Sequence, residues 1–295
     1  MRVTGPGLRA PWLLPLGAVL LWSVNVLVGR LAATHMPFQT ISFYRWLWAA
    51  LLLTPWLLPR VWRVRQQLRP HLPQLAVLSA CGMVMYQGLA YLAAHYTPAA
   101  HMALLNGLIP LTTLLLAVPL LQEKIHRRSL AGSLVALLGL GLFVSQSAVV
   151  AQASQPLLGD ALMGLGGVFY ALYGLLLRRW PLQHLGLGVL LYMQVVLAVL
   201  WHLPLLLWLP LSPLQGVDWA LIGYATLGPS LLAPLLWMQA VQRLGATAAS
   251  QFLNLMPLLT AVLAWWLLRE PLGWGQVLGG LLALSGVWWA QRAAT

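Results

Sequence analysis

Long stretches of this chain pass without a single Asp, Glu, Lys or Arg: residues 70–122, 129–159, 180–217 and 244–268. A water-facing surface cannot be built from such stretches. A soluble domain carries about 25% charged residues, whereas this chain has 7%, with 61% hydrophobic residues and a mean hydropathy of +0.83. The chain is therefore expected to be an integral membrane protein. A helix needs about 20 apolar residues to cross the hydrocarbon core. The apolar runs between charged and Pro/Gly breaks give ten spans: 11–33, 38–58, 72–94, 98–121, 128–146, 158–178, 184–209, 218–241, 246–268 and 272–291. The expected fold is all-α, a ten-helix membrane bundle without a soluble domain. The first run follows arginines, as a signal peptide would. It lacks a small-residue cleavage site and continues to Ala33, so it reads as a retained span.

The net charge of +12 would suit a nucleic-acid binder only if a soluble basic face stood behind it. The placement of the cations indicates something else. With a cytoplasmic N-terminus, Arg2, Arg9, Arg60, Arg63, Arg65, Arg69, Lys124, Arg127, Arg128, Arg178, Arg179, Arg243 and Arg292 all fall in cytoplasmic segments, and only Arg269 falls opposite. Cytoplasmic loops carry the excess of Lys and Arg. The basic charge is thus a topology signal: both termini cytoplasmic, an even number of spans and no nucleic-acid partner. The single cysteine, Cys81, excludes a disulfide framework or a multi-cysteine metal site. No cofactor or metal is expected.

The chain also repeats itself. Pro110 and Pro257 lie 147 residues apart, and so do Thr113 and Thr260, Glu123 and Glu270, Gly132 and Gly279, and Gly139 and Gly286. The offset divides the chain into two five-span halves, 1–147 and 148–295. Because five is odd, the halves would enter the membrane from opposite sides. Inverted repeats of this kind mark secondary transporters, in which two mirrored halves exchange inward and outward states around a midplane site. The two prolines interrupt spans four and nine, each freeing the carbonyl four residues earlier. This makes Pro110 and Pro257 candidate hinges. Asn106, Gln251 and Asn254 become candidate substrate groups beside them, the last two on one helix face. The alternative is that proline kinks are ordinary in membrane helices and Asn merely joins them.

Further polar and aromatic side chains at span depth complete the candidate site. They are Trp22 and Asn25 in span one, Arg45 in span two, and Tyr86, Gln87 and Tyr91 in span three. His101 belongs to span four, Tyr170 and Tyr173 to span six, and Trp237 and Gln239 to span eight. An aromatic-lined cavity with a few polar groups suits a zwitterionic or amphiphilic small molecule, although Tyr and Trp also form belts at membrane interfaces. An arginine near the bilayer centre costs roughly 2.5–3.5 kcal/mol on insertion scales. Arg45, about 10 Å into its span at 1.5 Å per residue, is either a carboxylate-binding or gating charge or a snorkelling one. For Arg30, close to its span's end, snorkelling is the reading. No acidic residue lies mid-membrane, and His101 and His202 read as satisfied core histidines. Small residues Gly275, Gly279 and Ala283, echoed by Gly132 and Ala136, fit close packing of spans five and ten within one molecule, with a dimer face as the alternative.

The stretches LWSVNVLVGR (21–30) and FYRWLWAALLL (43–53) resemble the start of a drug/metabolite transporter of the EamA type. So does YLAAHYTPAAHMALLNGLIPLTTLLLAVPLLQEKIHRRSLAGSLVALLGLGLFV (91–144), which is similar to that family's fourth and fifth spans. The family's proline, glutamate and glycine fall on Pro110, Glu123 and Gly132, and a second time on Pro257, Glu270 and Gly279. The resemblance implies ten helices, cytoplasmic ends and export of small metabolites, most like amino-acid exporters of the YddG kind. The expected substrates are neutral amino acids, aromatic ones included, or related metabolites. Cationic drugs would call for an acidic residue in the cavity, and nucleotide-sugars or sugar phosphates for several basic ones. A non-transport membrane role would leave the repeat unexplained, and neither a metal-hydrolase motif nor a phosphate loop occurs, so no enzyme is expected. The composition, rich in Leu, Ala and Trp with one lysine, points to a bacterial inner membrane. Packing of spans five and ten within one molecule favours a monomer in the lipid bilayer, with a homodimer as the alternative.

Overall fold

A computed structural model describes residues 10–97, 102, 105–145, 156–268 and 273–291. The described residues form helices and turns, with no strand among them. The bundle starts with α1 (Leu13–His35) and α2 (Phe38–Leu68). Next comes α3, α-helical over Leu72–Ser79 and Tyr86–Ala93 with a π turn, Ala80–Met85, between them. The first half continues with α4 (Ile109–Leu121) and α5 (Arg127–Ser145). The second half brings α6 (Pro156–Arg179), α7 (Leu187–Leu206) and α8, whose α-helical parts Gly216–Ala225 and Ala233–Leu244 flank a π turn, Thr226–Leu232. It ends with α9, made of Ala246–Ser250, a 3₁₀ turn Gln251–Asn254 and Leu255–Leu268, and with α10 (Trp274–Gln291).

Among the described residues, five helical stretches are long and apolar enough to cross a membrane by length and composition: Leu13–His35, Phe38–Ala93, Leu157–Arg179, Leu187–Leu206 and Gly216–Leu244. The second of these contains two expected spans in one run. α2 was expected to end at residue 58, but it continues ten residues further through Pro55 and Pro59. Of the arginines read as a loop, Arg60, Arg63 and Arg65 therefore sit on a helical extension, where Arg65 lies 4.7 Å from the Trp62 ring centroid and donates to the Trp62 carbonyl. Long side chains that cover their own helix keep such an extension folded in water.

The prolines of spans four and nine also act differently from a mid-helix kink. Pro110 stands in the first turn of α4, after a break at Gly107–Leu108, and Pro257 stands in the first turn of the helical segment after the 3₁₀ turn of α9. A proline costs nothing in a first turn, where its missing N–H would have no partner. Each proline thus restarts a helix that has already been interrupted.

α1 packs on α8 and α9, α6 on α3 and α4, and α2 on α7. α5 and α10 form the closest pair. A methyl on Gly132 would meet the Ala290 nitrogen at 2.5 Å and the Gly286 carbonyl at 2.6 Å, and one on Gly139 or Gly286 would strike the backbone nitrogen of Ala283 or Ala136. The small residues therefore serve contact between these two helices, as small-xxx-small faces do in membranes. At one end of the bundle, the α1–α2 corner is tied to the α7–α8 connection. Gln39 donates to the Pro210 carbonyl (3.1 Å), the Ser212 N–H donates to Thr40 Oγ1 (3.1 Å), and His35 lies 3.8 Å from Asp218. Ala32, Met36, Ile41, Tyr91, Ile222 and Ala225 form a small apolar cluster beneath this closure.

Candidate functional site

Five aromatic rings from four helices meet at the centre. Tyr170 of α6 is the hub, with ring centroids 4.5 Å from Tyr86 (α3), 5.7 Å from Trp22 (α1), 5.6 Å from Trp237 (α8) and 5.9 Å from Tyr173. Trp22 and Trp237 close the group at 5.4 Å. All five are buried, so they are not interface-belt residues. Each such pair adds about 0.5–1.5 kcal/mol beyond the area it buries. Packing does not account for their polar atoms, however. The hydroxyls of Tyr170 and Tyr173 and Nε1 of Trp237 are buried without a hydrogen-bond partner, each at a cost of roughly 1–3 kcal/mol. Tyr173 is seated by Gly82 in the π turn of α3, where a Cβ would come within 2.6 Å of its ring.

Around the rings lie polar groups at the helix breaks. The Tyr86 hydroxyl donates to Asn106 Oδ1 (3.1 Å), and Asn106 Nδ2 reaches Met256 Sδ at 3.8 Å, which joins the break in span four to α9. Ser23 of α1 donates to the Val19 carbonyl at 2.8 Å, with the Met256 carbonyl at 3.3 Å. Gln251 and Asn254 begin and end the 3₁₀ turn, whose i and i+3 side chains eclipse, and both are buried. Gln251 donates to Ser133 of α5 (2.9 Å), while its Oε1 and both amide atoms of Asn254 have no partner.

A second polar group surrounds Arg45, which is 0% exposed and thus does not snorkel. Its partners follow from the π turn of α8. Pro229 has no N–H to give to the Ala225 carbonyl, and Ser230 Oγ donates to that carbonyl instead (2.6 Å). With its one proton so used, Ser230 accepts from Arg45 Nε at 2.7 Å. Nη1 donates to Tyr91 OH (2.8 Å) and Gln87 Oε1 (3.2 Å), and Tyr91 in turn donates to Asn25 Oδ1 (3.4 Å). Nη2 has no partner. The guanidinium lies 4.8 Å from the Trp46 ring centroid.

The structure thus gathers Trp22, Tyr86, Tyr170, Tyr173 and Trp237 into one group, with Asn106 hydrogen-bonded to Tyr86. Asn25, Arg45, Gln87 and Tyr91 form a second group. Gln251 and Asn254 form a third with Ser133. Gln239 is half-buried and joins none of these by a hydrogen bond. Two residues from Trp237, it points about 200° away around the helix. His101 lies outside the described residues. His202 is buried with Nδ1 2.7 Å from the Ala198 carbonyl of its own helix. Ser133, Ser230 and Met256 were not anticipated. A serine directly after a mid-span proline is the sequence signal that marks Ser230. The two π turns were not anticipated either, although such turns are frequent at functional sites.

Comparison with known proteins matches the model of the EamA-like transporter family twice, over residues 10–145 and 157–291. An uncharacterized transporter, YyaM, of Bacillus subtilis (strain 168) is 30% identical over 76% of this chain and 74% of its own length. A protein of Streptantibioticus cattleyicolor named "probable terminal-alkyne amino-acid exporter" is 29% identical over 78% of this chain and 76% of its own. A solved crystal structure, 19% identical, shares the fold over 97% of both chains with a TM-score of 0.77. The chain, an all-helical multi-pass membrane protein, belongs to the EamA-like transporter family of the drug/metabolite transporter superfamily.

Proposed function

We propose that the protein is a secondary transporter that exports neutral amino acids, aromatic ones included, or related small metabolites by alternating access. In this reading ten spans form two inverted repeats, 1–147 and 148–295, with both termini in the cytoplasm of a bacterial cell and the bundle in its inner membrane. The observation that carries the proposal is the buried ring cluster with its unpartnered hydroxyls and indole N–H, to which both halves contribute. A cluster of that kind, apolar with a few unpartnered polar atoms, is what a small amphiphilic solute needs.

The helix packing supports the repeat. Exchange of α1–α5 with α6–α10 turns the α1–α8 contact into α6–α3 and the α1–α9 contact into α6–α4, and leaves α2–α7 and α5–α10 unchanged. The π turns Ala80–Met85 and Thr226–Leu232, and the interruptions before Pro110 and Pro257, also stand at corresponding places. The family model's two matches add to this. Paired interruptions in the two halves are the usual pointer to a midplane site, with Pro110 and Pro257 as the hinges. One relative's name concerns amino-acid export, which favours that cargo over cationic or phosphorylated solutes. The α5–α10 face is used within the molecule, in keeping with a monomer.

The test is counterflow in liposomes. Each of a panel of unlabelled amino acids is trapped inside, and uptake of its labelled form is followed against protein-free vesicles and an Asn106→Ala variant. Uptake above the empty vesicles, reduced in the variant, supports the reading. Absence of flux for every amino acid, from protein shown to be folded, removes it.

A further inference from the structure

We propose that Arg45 is the anion-reading group of the transport site, so that cargo must present a carboxylate. This rests on the transporter reading above and names the chemical class it accepts. A guanidinium has five N–H donors in a planar fork that matches a carboxylate. In Arg45 three of them are engaged, and only by neutral groups: Ser230 Oγ on Nε, and Tyr91 OH and Gln87 Oε1 on Nη1. Both Nη2 donors are buried without a partner. Ion pairs would normally compensate such a charge, yet no carboxylate comes within salt-bridge distance of it among the described residues. Asp218 is held by the Gln215 N–H and His35, Glu123 by Thr247, and Asp160 by Thr97.

The holders of the fork come from both halves, Gln87 and Tyr91 from α3 and Ser230 from α8. A carboxylate bound side-on would place one oxygen on Nη2 and take Nε from Ser230. Movement of α8 away from α3 would free the fork for this exchange, which ties binding to the conformational change. The nearby faces of Trp46 and Tyr91 leave the charge in place and carry no acid that would compete.

Binding is tested on purified protein by thermal shift with matched probes. These are 3-phenylpropionate against 3-phenylpropionamide, and L-phenylalanine against L-phenylalaninamide and phenylethylamine, each in chloride and in sulfate buffer. The expected result is that both acids raise Tm while the amides and the amine do not, and that Arg45→Gln removes the difference. Arg45→Lys should retain part of it. A loss of about 10-fold or more in acid affinity is expected for Arg45→Gln, the scale of a hydrogen bond to a charged group. Should Arg45→Gln fail to fold, the acid–amide comparison on the native protein decides alone. Equal shifts for acids and amides, a folded Arg45→Gln that still prefers acids, or a shift from chloride alone with none from the acids would each overturn the proposal. The outcome for export is separate. Arg45-dependent acid binding without amino-acid counterflow keeps this site and removes the exporter reading. Counterflow equal for phenylalanine and its amide does the reverse.

Discussion

Trp22 and Tyr170 meet edge to face, with ring centroids 5.7 Å apart and planes at 89°, Trp22 from α1 and Tyr170 from α6. The Trp22 indole N–H donates to the Pro229 carbonyl at 3.3 Å, whereas the Tyr170 hydroxyl is unpartnered. The pair is therefore anchored by a hydrogen bond at one end and carries a buried, unsatisfied donor at the other. Tyr170→Phe deletes only that donor. The variant should melt at the same temperature as the native protein or above it, because the desolvation cost of about 1–3 kcal/mol for an orphan hydroxyl disappears. Counterflow should fall about 2- to 10-fold, the worth of one hydrogen bond. A lowered Tm with unchanged flux would assign the hydroxyl to folding instead.

The Tyr86–Asn106 hydrogen bond lends itself to a double-mutant cycle. Asn106→Leu alone strands the Tyr86 hydroxyl in the core, at a cost of about 1–3 kcal/mol. Adding Tyr86→Phe removes the stranded group, so the double variant should be more stable than Asn106→Leu alone, with a coupling of about 0.5–3 kcal/mol. Denaturation in detergent measures this. Additive effects would mean that the two side chains do not act on each other.

Between α5 and α10 there is no space for a methyl group at Gly139 or Gly286. Gly139→Leu should destabilise the bundle by at least about 1–3 kcal/mol, as overpacking does, visible as a lowered Tm. Gly141→Leu, on a residue whose Cβ would meet nothing within 4 Å, should leave Tm nearly unchanged. Equal effects at the two positions would remove the close contact as a stabilising feature.

The corner closure can be locked. Thr40 Oγ1 and Ser212 Oγ are 3.3 Å apart, so Thr40→Cys with Ser212→Cys should form a disulfide under oxidation. The native Cys81 is buried and would not compete. If this end opens during transport, oxidation should abolish counterflow and a reductant should restore it. Full activity in the oxidised, verifiably cross-linked protein would show that the corner stays shut throughout the cycle.

Much of this organisation was legible in the sequence because lipid leaves so few solutions. Charge-free runs set the helices to within a few residues at most ends, and the glycines that match at a fixed offset, Gly132 with Gly279 and Gly139 with Gly286, are those through which α5 and α10 meet. The extension of α2 to Leu68 was not legible, because Pro55, Pro59 and three arginines resemble a loop until Arg65 is seen to lie back on the helix. For the site, the aromatics at span depth were visible, but their segregation from Arg45 and its neighbours was not. That division depends on helix rotation, which the π turns alter and which no periodicity of 3.6 anticipates. Ser230 escaped for the same reason.

That rotation has a practical consequence. In each π turn the hydrogen bonds span five residues, as from Tyr86 N–H to the Cys81 carbonyl and from Ala233 N–H to the Gly228 carbonyl. The turn therefore holds roughly one residue more than an α-helix of the same height needs. That surplus sets the angular phase of everything after it, and one residue corresponds to about 100° around a helix. Were the same residues wound as an unbroken α-helix, α3 would keep its composition and greasiness intact while Tyr86, Gln87 and Tyr91 swung to a different face. In a chain with so few polar side chains, recognition is thus encoded as much by counting as by chemistry.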